Sequence, residues 1–400
     1  MRAVQWEFAS LQATNGLLLE TAKYVKIAIH FIFNLISMID KMKLKKIAKI
    51  MVDYSIAVKK GEKILLRGYG FDSYPLIKEI YEECIKAGAI QVDVRFSNDE
   101  LARLFFEFAN EQQMTYLNDL DKKVAASYDA MIQIIADENP YELASVDIKK
   151  LYKVQKARKP LSDILHKKRW CLFHYPNLAS AAFARKGLEE WQDFVLGSCI
   201  LDWEKEEGLQ KKFISLIEKV KTVRVTGIET DLTLSIKGQK WRTCCGKYNM
   251  PDGEIFTSPV RNSVNGFIKY NVPTYYQSND FDWVKLHLKD GKVVKEESNN
   301  QKALVEILNT DGGSRYYGEF AFGLNNNIKE GTRQILFDEK MGKSLHMALG
   351  KCYEECPNGN DSVVHWDLIF KFAPAHAELF FDGEKVFSSG KWLKKFIFLN

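Results

Sequence analysis

Hydrophobic periodicity changes once along this 400-residue chain, near residues 218–224, and that change constrains the architecture more than any other feature. Before it, helical spacing alternates with short apolar runs. Residues 44–57, 75–87, 98–110 and 147–167 read as helices. Between them, 64–67, 91–96, 130–136 and 170–174 read as strands, and Ala-Met-Ile-Gln-Ile-Ile-Ala at 130–136 is apolar enough to be buried on both faces. Strands that alternate with helices predict a mostly parallel sheet covered on both sides. From Val223 onward, stretches such as 223–227, 232–237 and 283–289 alternate apolar with polar residues, with turn signals at Asp290-Gly291 and Asp382-Gly383. Helices are expected there only at 300–311 and in part of 344–355. The reading is an α/β N-terminal domain, 38–221, followed by an α+β C-terminal domain, 222–400.

Residues 1–37 stand apart as an atypical extension. The apolar run 24–39 is interrupted by Lys26, His30 and Asn34 and is shorter than the ~20 residues of a membrane span. Glu7 and Glu20 precede it and no small-residue cleavage site follows, which argues against a signal peptide. A regular amphipathic pattern begins at Lys41, so the functional protein is expected to start at Met38 or Met42. The net charge of +5 is spread over both halves, which gives no case for nucleic acid or an acidic membrane as partner. Seven cysteines, two of them adjacent and none in a CxxC, argue against a disulfide framework and suit a reducing cytoplasm. A zinc site from Cys244, Cys245, Cys352 and Cys356 matches no common spacing, and small buried side chains are the simpler role. Gly68-Tyr-Gly70 follows a strand and precedes a helix, but Ser73 stands where a dinucleotide fingerprint has its third glycine.

Chemistry concentrates between Gly318 and Asp367. Glu319, Glu339, His346, Tyr353, His365 and Asp367 all fall there, including two of only seven histidines. Residues 362–370 read as a strand, which puts His365 and Asp367 on one face with Val363 and Ile369, and Val364, Trp366 and Leu368 on the other. A buried carboxylate needs a partner. A metal ion suits carboxylate and imidazole, with Zn, Co or Mn as candidates, and a buried Lys or Arg is the alternative. His346 and Tyr353, seven apart, would nearly share a face if both lay on one helix. Upstream, the Pro-Asp-Gly turn at 251–253 fixes the direction of Glu254, which could equally be the exposed Glu of a hairpin. Neither a Gly-x-Ser-x-Gly elbow nor HExxH is present.

Further motifs run through the chain: Arg67-Gly-Tyr-Gly-Phe, Glu138-Asn-Pro, Cys244-Cys-Gly, Asn249-Met-Pro-Asp-Gly-Glu-Ile-Phe-Thr, Gly318-Glu-Phe, Leu336-Phe-Asp-Glu-Lys-Met-Gly, His346-Met-Ala-Leu-Gly and Ser362-Val-Val-His-Trp-Asp. On these the chain, over about residues 41–392, resembles the aminopeptidase T / aminopeptidase S family of metallo-aminopeptidases. It implies a two-metal exopeptidase, a homodimer that encloses its active sites, and so an action restricted to short peptides. The implied metal ligands are Glu254, Glu319, His346, His365 and Asp367, with Tyr353 beside them and Glu339 as a supporting carboxylate. Two divalent ions roughly 3.5–4 Å apart would share a water and bring its pKa toward neutrality. Glu319 or Glu254 would then shuttle the proton and Tyr353 would stabilise the oxyanion. Two other classes remain on the residues alone: a non-catalytic metal- or peptide-binding protein on the same fold, and a nucleotide-dependent oxidoreductase built on Gly68 and Gly70.

Overall fold

The apolar runs of the first half pair side by side in parallel. Strands β1 (Lys63–Tyr69), β2 (Gln91–Ser97), β3 (Ala130–Ile135) and β4 (Arg169–His174) lie in the order β2-β1-β3-β4. The structure, a computed structural model, describes residues 41–139 and 141–400. The expectations for residues 1–37 and for a start at Met38 lie outside them. Residues 45–400 form one compact unit, and of the preceding unit, 1–44, the described part is the opening of helix α1 (Lys41–Ile50).

Parallel strands need long crossovers, and helices supply them. These include α2 (Tyr74–Lys86), α3 (Asp99–Phe108) and α4 (Ile148–His166). Asn98 caps α3 by accepting a hydrogen bond from the Leu101 amide, which explains why that helix starts there. Leu65 and Met131 point to one face of the sheet and pack with Leu165 of α4. Ile64, Leu66 and Ile132 point to the other and are equally buried. At the end of β1, Gly70 adopts φ +79°, and an added Cβ would stand 1.9 Å from the Ala136 carbonyl oxygen. A Cβ on Gly68 would meet the Phe96 ring. Both glycines therefore serve the protein's own packing.

In the second half the strands are β5 (Thr222–Gly227), β6 (Thr230–Ser235), β7 (Arg242–Cys244), β8 (Asn249–Met250), β9 (Glu254–Thr257), β10 (Asn265–Tyr270), β11 (Thr274–Tyr276), β12 (Asn279–Phe281), β13 (Val284–Lys289), β14 (Lys292–Ser298), β15 (Tyr317–Gly323), β16 (Ser344–Gly350), β17 (His365–Lys371), β18 (Glu378–Phe381), β19 (Glu384–Ser388) and β20 (Lys391–Trp392). One antiparallel sheet runs β14-β13-β10-β6-β5-β18-β19-β20, a second runs β17-β16-β15-β9-β7, and β8 extends the parallel sheet beside β4. The core gathers Val223, Leu232 and Leu286 of the larger sheet with Phe320, Phe322, Leu345, Met347, Trp366 and Leu368 of the smaller. Among the described residues all seven cysteines are free, and no helix is long and apolar enough to cross a membrane.

One expectation fails. Residues 344–350 form β16, not a helix. The segment is buried at every position, so it carries no alternation that would mark it as a strand, and its two neighbours supply the pairing that decides its conformation. Strand β17 also begins later than expected, at His365, and Val363 is 81% exposed ahead of it.

Candidate metal centre

Period-2 alternation sorts the smaller sheet into two faces. Ile255, Phe320, Phe322, Leu345, Met347, Trp366 and Leu368 enter the core. The alternate residues Glu254, Glu319, His346, His365 and Asp367 therefore leave on the opposite face. Register then brings them together. Glu319 and Asp367 both sit opposite Ala348 of the strand between them, and Gly323 sits opposite Glu254. Small residues at those positions leave room among the longer side chains.

The five side chains meet as two overlapping groups. Glu254, Glu319 and His346 form one, and Glu319, His365 and Asp367 the other. Glu319 belongs to both because its two oxygens diverge: Oε1 lies 3.5 Å from Nε2 of His346, and Oε2 lies 3.4 Å from Nε2 of His365. Nε2 of His346 is also 3.3 Å from Glu254 Oε2, and Nε2 of His365 is 3.6 Å from Asp367 Oδ2. Such separations are long for charge-assisted hydrogen bonds. They match roughly 3.3–3.5 Å, the spacing of two donors each ~2.0–2.2 Å from one tetrahedral ion. Glu254 Oε2, Asp367 Oδ1 and His365 Nε2 are buried without a hydrogen-bond partner, as is Nδ1 of His346. Nδ1 of His365 sits 2.9 Å from the Lys351 carbonyl oxygen, so it donates there, and in the neutral ring Nε2 turns its lone pair toward the cluster. Orphaned oxygens and a fixed imidazole tautomer are the donor set a divalent ion requires.

Electrostatics without an ion shows the same frustration. Burial alone would lower both imidazole pKa values. Glu319, Glu254 and Asp367 outweigh it at His346 and push it up to about 9. Asp367 and Glu319 do so at His365 and take it to about 10. Glu319 is pulled the other way, to about 2, because the two imidazoles overcome its burial. Burial pushes Asp367 up to about 6.

Tyr353 lies in the irregular segment after β16, with its ring centroid 4.9 Å from that of His365 and 5.4 Å from that of Phe256. Desolvation and then the charges of Glu319, Asp367 and Glu339 raise its hydroxyl pKa, which keeps it a neutral donor. Glu339 groups with His346 and Asp367. It stands just after helix α5 (Ile335–Asp338).

Sequence reasoning missed two participants. Lys340 is 1% exposed and its ammonium pairs with Glu254, with Glu339 at 2.7 Å and with Asp252 at 3.7 Å. Asp252 is buried too, accepts from the Gly246 amide, and is pushed up to about 6 by burial against the pull of Lys340. Nothing in Leu336-Phe-Asp-Glu-Lys-Met341 signals this: only the structure buries all of it but Glu339, and a buried lysine needs a partner. Lys340 thus serves one oxygen of Glu254, and the other is left without a hydrogen-bond partner. Cys244 groups with Asp252 and Glu254, and no group able to hold an ion joins it to Cys352 or Cys356 among the described residues. Burial and these carboxylates push its thiol pKa well up, so it remains a thiol.

A separate cavity of about 210 Å³ opens at the carboxyl ends of β3 and β4, lined by Asp137, His174, Phe183, Tyr275 and Leu336 among others. That is where a doubly wound sheet places a dinucleotide, yet no lysine, arginine or glycine lines it.

A family model described as thermophilic metalloprotease (M29) matches residues 40–392. The chain is 24% identical over 409 residues to aminopeptidase AmpS of Bacillus subtilis, a match covering 88% of this chain and 98% of the relative. It is 23% identical over 410 residues to aminopeptidase T of Thermus thermophilus, covering 88% and 99%. Among solved structures, wild-type AmpT from Thermus thermophilus shares the fold with a TM-score of 0.75 at 20% identity, covering 88% of this chain and all of that one.

Proposed function

Because the chain belongs to the thermophilic metalloprotease (M29) family of metallo-aminopeptidases, we propose that it removes N-terminal residues from short peptides, with two divalent ions held by Glu254, Glu319, His346, His365 and Asp367. The observation that carries this reading is the shared position of Glu319, whose two oxygens address two different imidazoles. Charge supports the number of ions. Asp252, Glu254, Glu319, Glu339 and Asp367 bring five negative charges and Lys340 returns one, which leaves four for two divalent cations to offset. The donor set of carboxylate and neutral imidazole suits Zn, Co or Mn.

When bound, such ions supply a water ionised near neutral pH and a Lewis acid for the scissile carbonyl. The chain's own residues do the rest. Lys340 neutralises Glu254 on one side and fixes which oxygen faces the site. Glu319 accepts and returns the proton, with Glu254 as the other candidate for that step. Tyr353 donates from its neutral hydroxyl to the developing oxyanion. We further read residues 38–221 as the α/β domain and 222–400 as the catalytic domain, and the protein as a cytoplasmic homodimer.

The test is hydrolysis of leucyl-p-nitroanilide with elemental analysis of the same sample. Chelation is expected to abolish activity and readdition of Zn, Co or Mn to restore it. Glu319→Gln is expected to leave the fold and abolish turnover. Full activity in the chelated protein would overturn the reading.

A further inference from the structure

The cavity at the carboxyl ends of β3 and β4 is furnished with acceptors and no cation. Register sets Ile135 of β3 beside His174 of β4, and Asp137 follows two residues beyond Ile135. All three line the cavity, with Phe183, Tyr275 and Leu336 in the rest of its wall. The Asp137 main chain is fixed, because Asn177 Nδ2 donates to its carbonyl oxygen at 2.8 Å. Its carboxylate, by contrast, has neither a hydrogen-bond donor nor a cation beside it among the described residues. Burial and then the charge of Asp99 push it up to about 6, and nothing pulls it back. The His174 ring also makes no hydrogen bond among the described residues, and burial pushes it down to about 4, so at pH 7 it is a neutral imidazole. Gln334 spends its amide nitrogen on the Ser180 carbonyl oxygen at 3.1 Å, which leaves its own Oε1 as a third acceptor.

The walls set the size and shape of an occupant. Ile135, Ala179 and Leu336 are aliphatic, and the rings of Phe183 and Tyr275 meet edge to face at 5.0 Å and 89°. Such walls favour an aromatic or branched apolar group. An apolar cavity of ~150 Å³ holds a benzene ring, so about 210 Å³ takes a ring with a short chain and little more. The polar groups decide the charge. A carboxylate, an amide oxygen and an imidazole lone pair suit a group with three donors and a positive charge, which is an ammonium. Among the described residues no lysine or arginine lines the cavity, so Asp137 repels a carboxylate or phosphate on the same body with nothing to offset it.

We propose that this cavity is a binding site for a small primary amine with an aromatic or branched apolar body, its ammonium held by Asp137, His174 and Gln334 and its body by Phe183, Tyr275 and Leu336. The site shares no residue with the metal cluster and does not depend on the peptidase reading.

The experiment is isothermal calorimetry of 2-phenylethylamine against the full-length protein after chelation, which removes bound metal as a competing ligand for the amine. Wild type is expected to bind it, and to bind 3-phenylpropanoate, a body of the same shape carrying a carboxylate, about tenfold more weakly or worse. Asp137→Asn keeps the shape, removes the charge, and is expected to cost the amine about tenfold or more. Ala179→Leu fills the cavity and is expected to abolish binding. Glu319→Gln, at the metal cluster, is expected to bind the amine as wild type does. The comparison of amine with acid needs no variant, so it decides the matter even where a substitution unfolds the protein. A wild type that binds no amine, or binds amine and acid equally, overturns the proposal. So does an unchanged affinity in folded Asp137→Asn, or a loss on Glu319→Gln, which would put the amine at the metal cluster.

Discussion

Metal uptake by this protein is expected to release about two protons per chain at pH 7. The number follows from the imidazoles. His346 is raised to about 9 and His365 to about 10 by the carboxylates around them. At pH 7 each is therefore about 99% protonated or more. Ligation requires neutral imidazole, so both protons must leave. Glu319, held at about 2, is already ionised and contributes none. Each ion displaces the proton of its own imidazole, so affinity for each of the two ions should rise about tenfold from pH 7 to 8, and the product for the pair about 100-fold. Isothermal calorimetry on chelated protein, in two buffers of different ionisation enthalpy, counts the protons directly. His365→Ala should reduce the count by one. The same shifts fix a stability trend with a definite sign. Both groups have folded pKa values above the unfolded 6.5, so the stability they add to the metal-free protein is complete below pH ~6.5 and is lost as pH rises through 9 to 10. For His346 that is roughly 3 kcal/mol. Uptake without proton release, or an affinity flat between pH 7 and 8, would show that these imidazoles are not the ligands.

Three further outcomes are expected. Lys340→Met should destabilise the protein by about 3–5 kcal/mol, because Glu254, Glu339 and Asp252 lose a buried counter-charge; thermal melts with and without metal would show it, and an unchanged melting temperature in both would contradict it. Ala348→Leu should fill the space between Glu319 and Asp367 and lower the metal content per chain, at a fold cost of about 1–3 kcal/mol; elemental analysis reads the first and a denaturant melt the second. Tyr353→Phe should lower kcat for leucyl-p-nitroanilide by about 10²–10³ with KM nearly unchanged, since its hydroxyl is assigned to the transition state; an equal rise in KM would place it in substrate binding instead.

The face shared by His365 and Asp367 was legible because a strand alternates and those two residues are the polar ones in an apolar run. Its start was not, since nothing in Ser362-Val-Val distinguishes a strand from the extended segment that leads into one. Strand β16 was hidden for a different reason. Ser344-Leu-His-Met-Ala-Leu-Gly has no β-branched residue and no polar alternation, because both faces are covered and one of them must stay narrow beside Glu319 and Asp367. The requirement for small side chains at the site thus erased the local signal for the strand that builds it. Lys340 and Asp252 escaped for a third reason: both read as surface charges in turn-like sequence, and only the assembled sheet encloses them. Glu254 sat beside a clear turn signal, and its burial could be judged only once β9 was placed next to β15.

Strand β8 is two residues long, yet it links processes that a division into halves would separate. Asn249 and Met250 come from the second half and hydrogen-bond alongside Leu172 and Phe173 of the first, four residues before Glu254. The carboxylate is thus moored to a sheet built from sequence about 80 residues upstream. A severed C-terminal fragment would lack that mooring and should bind cations poorly even when its own sheets form. Supplying residues 38–221 as a second polypeptide should restore binding, so cation capture becomes a reporter of whether the two fragments have reassembled.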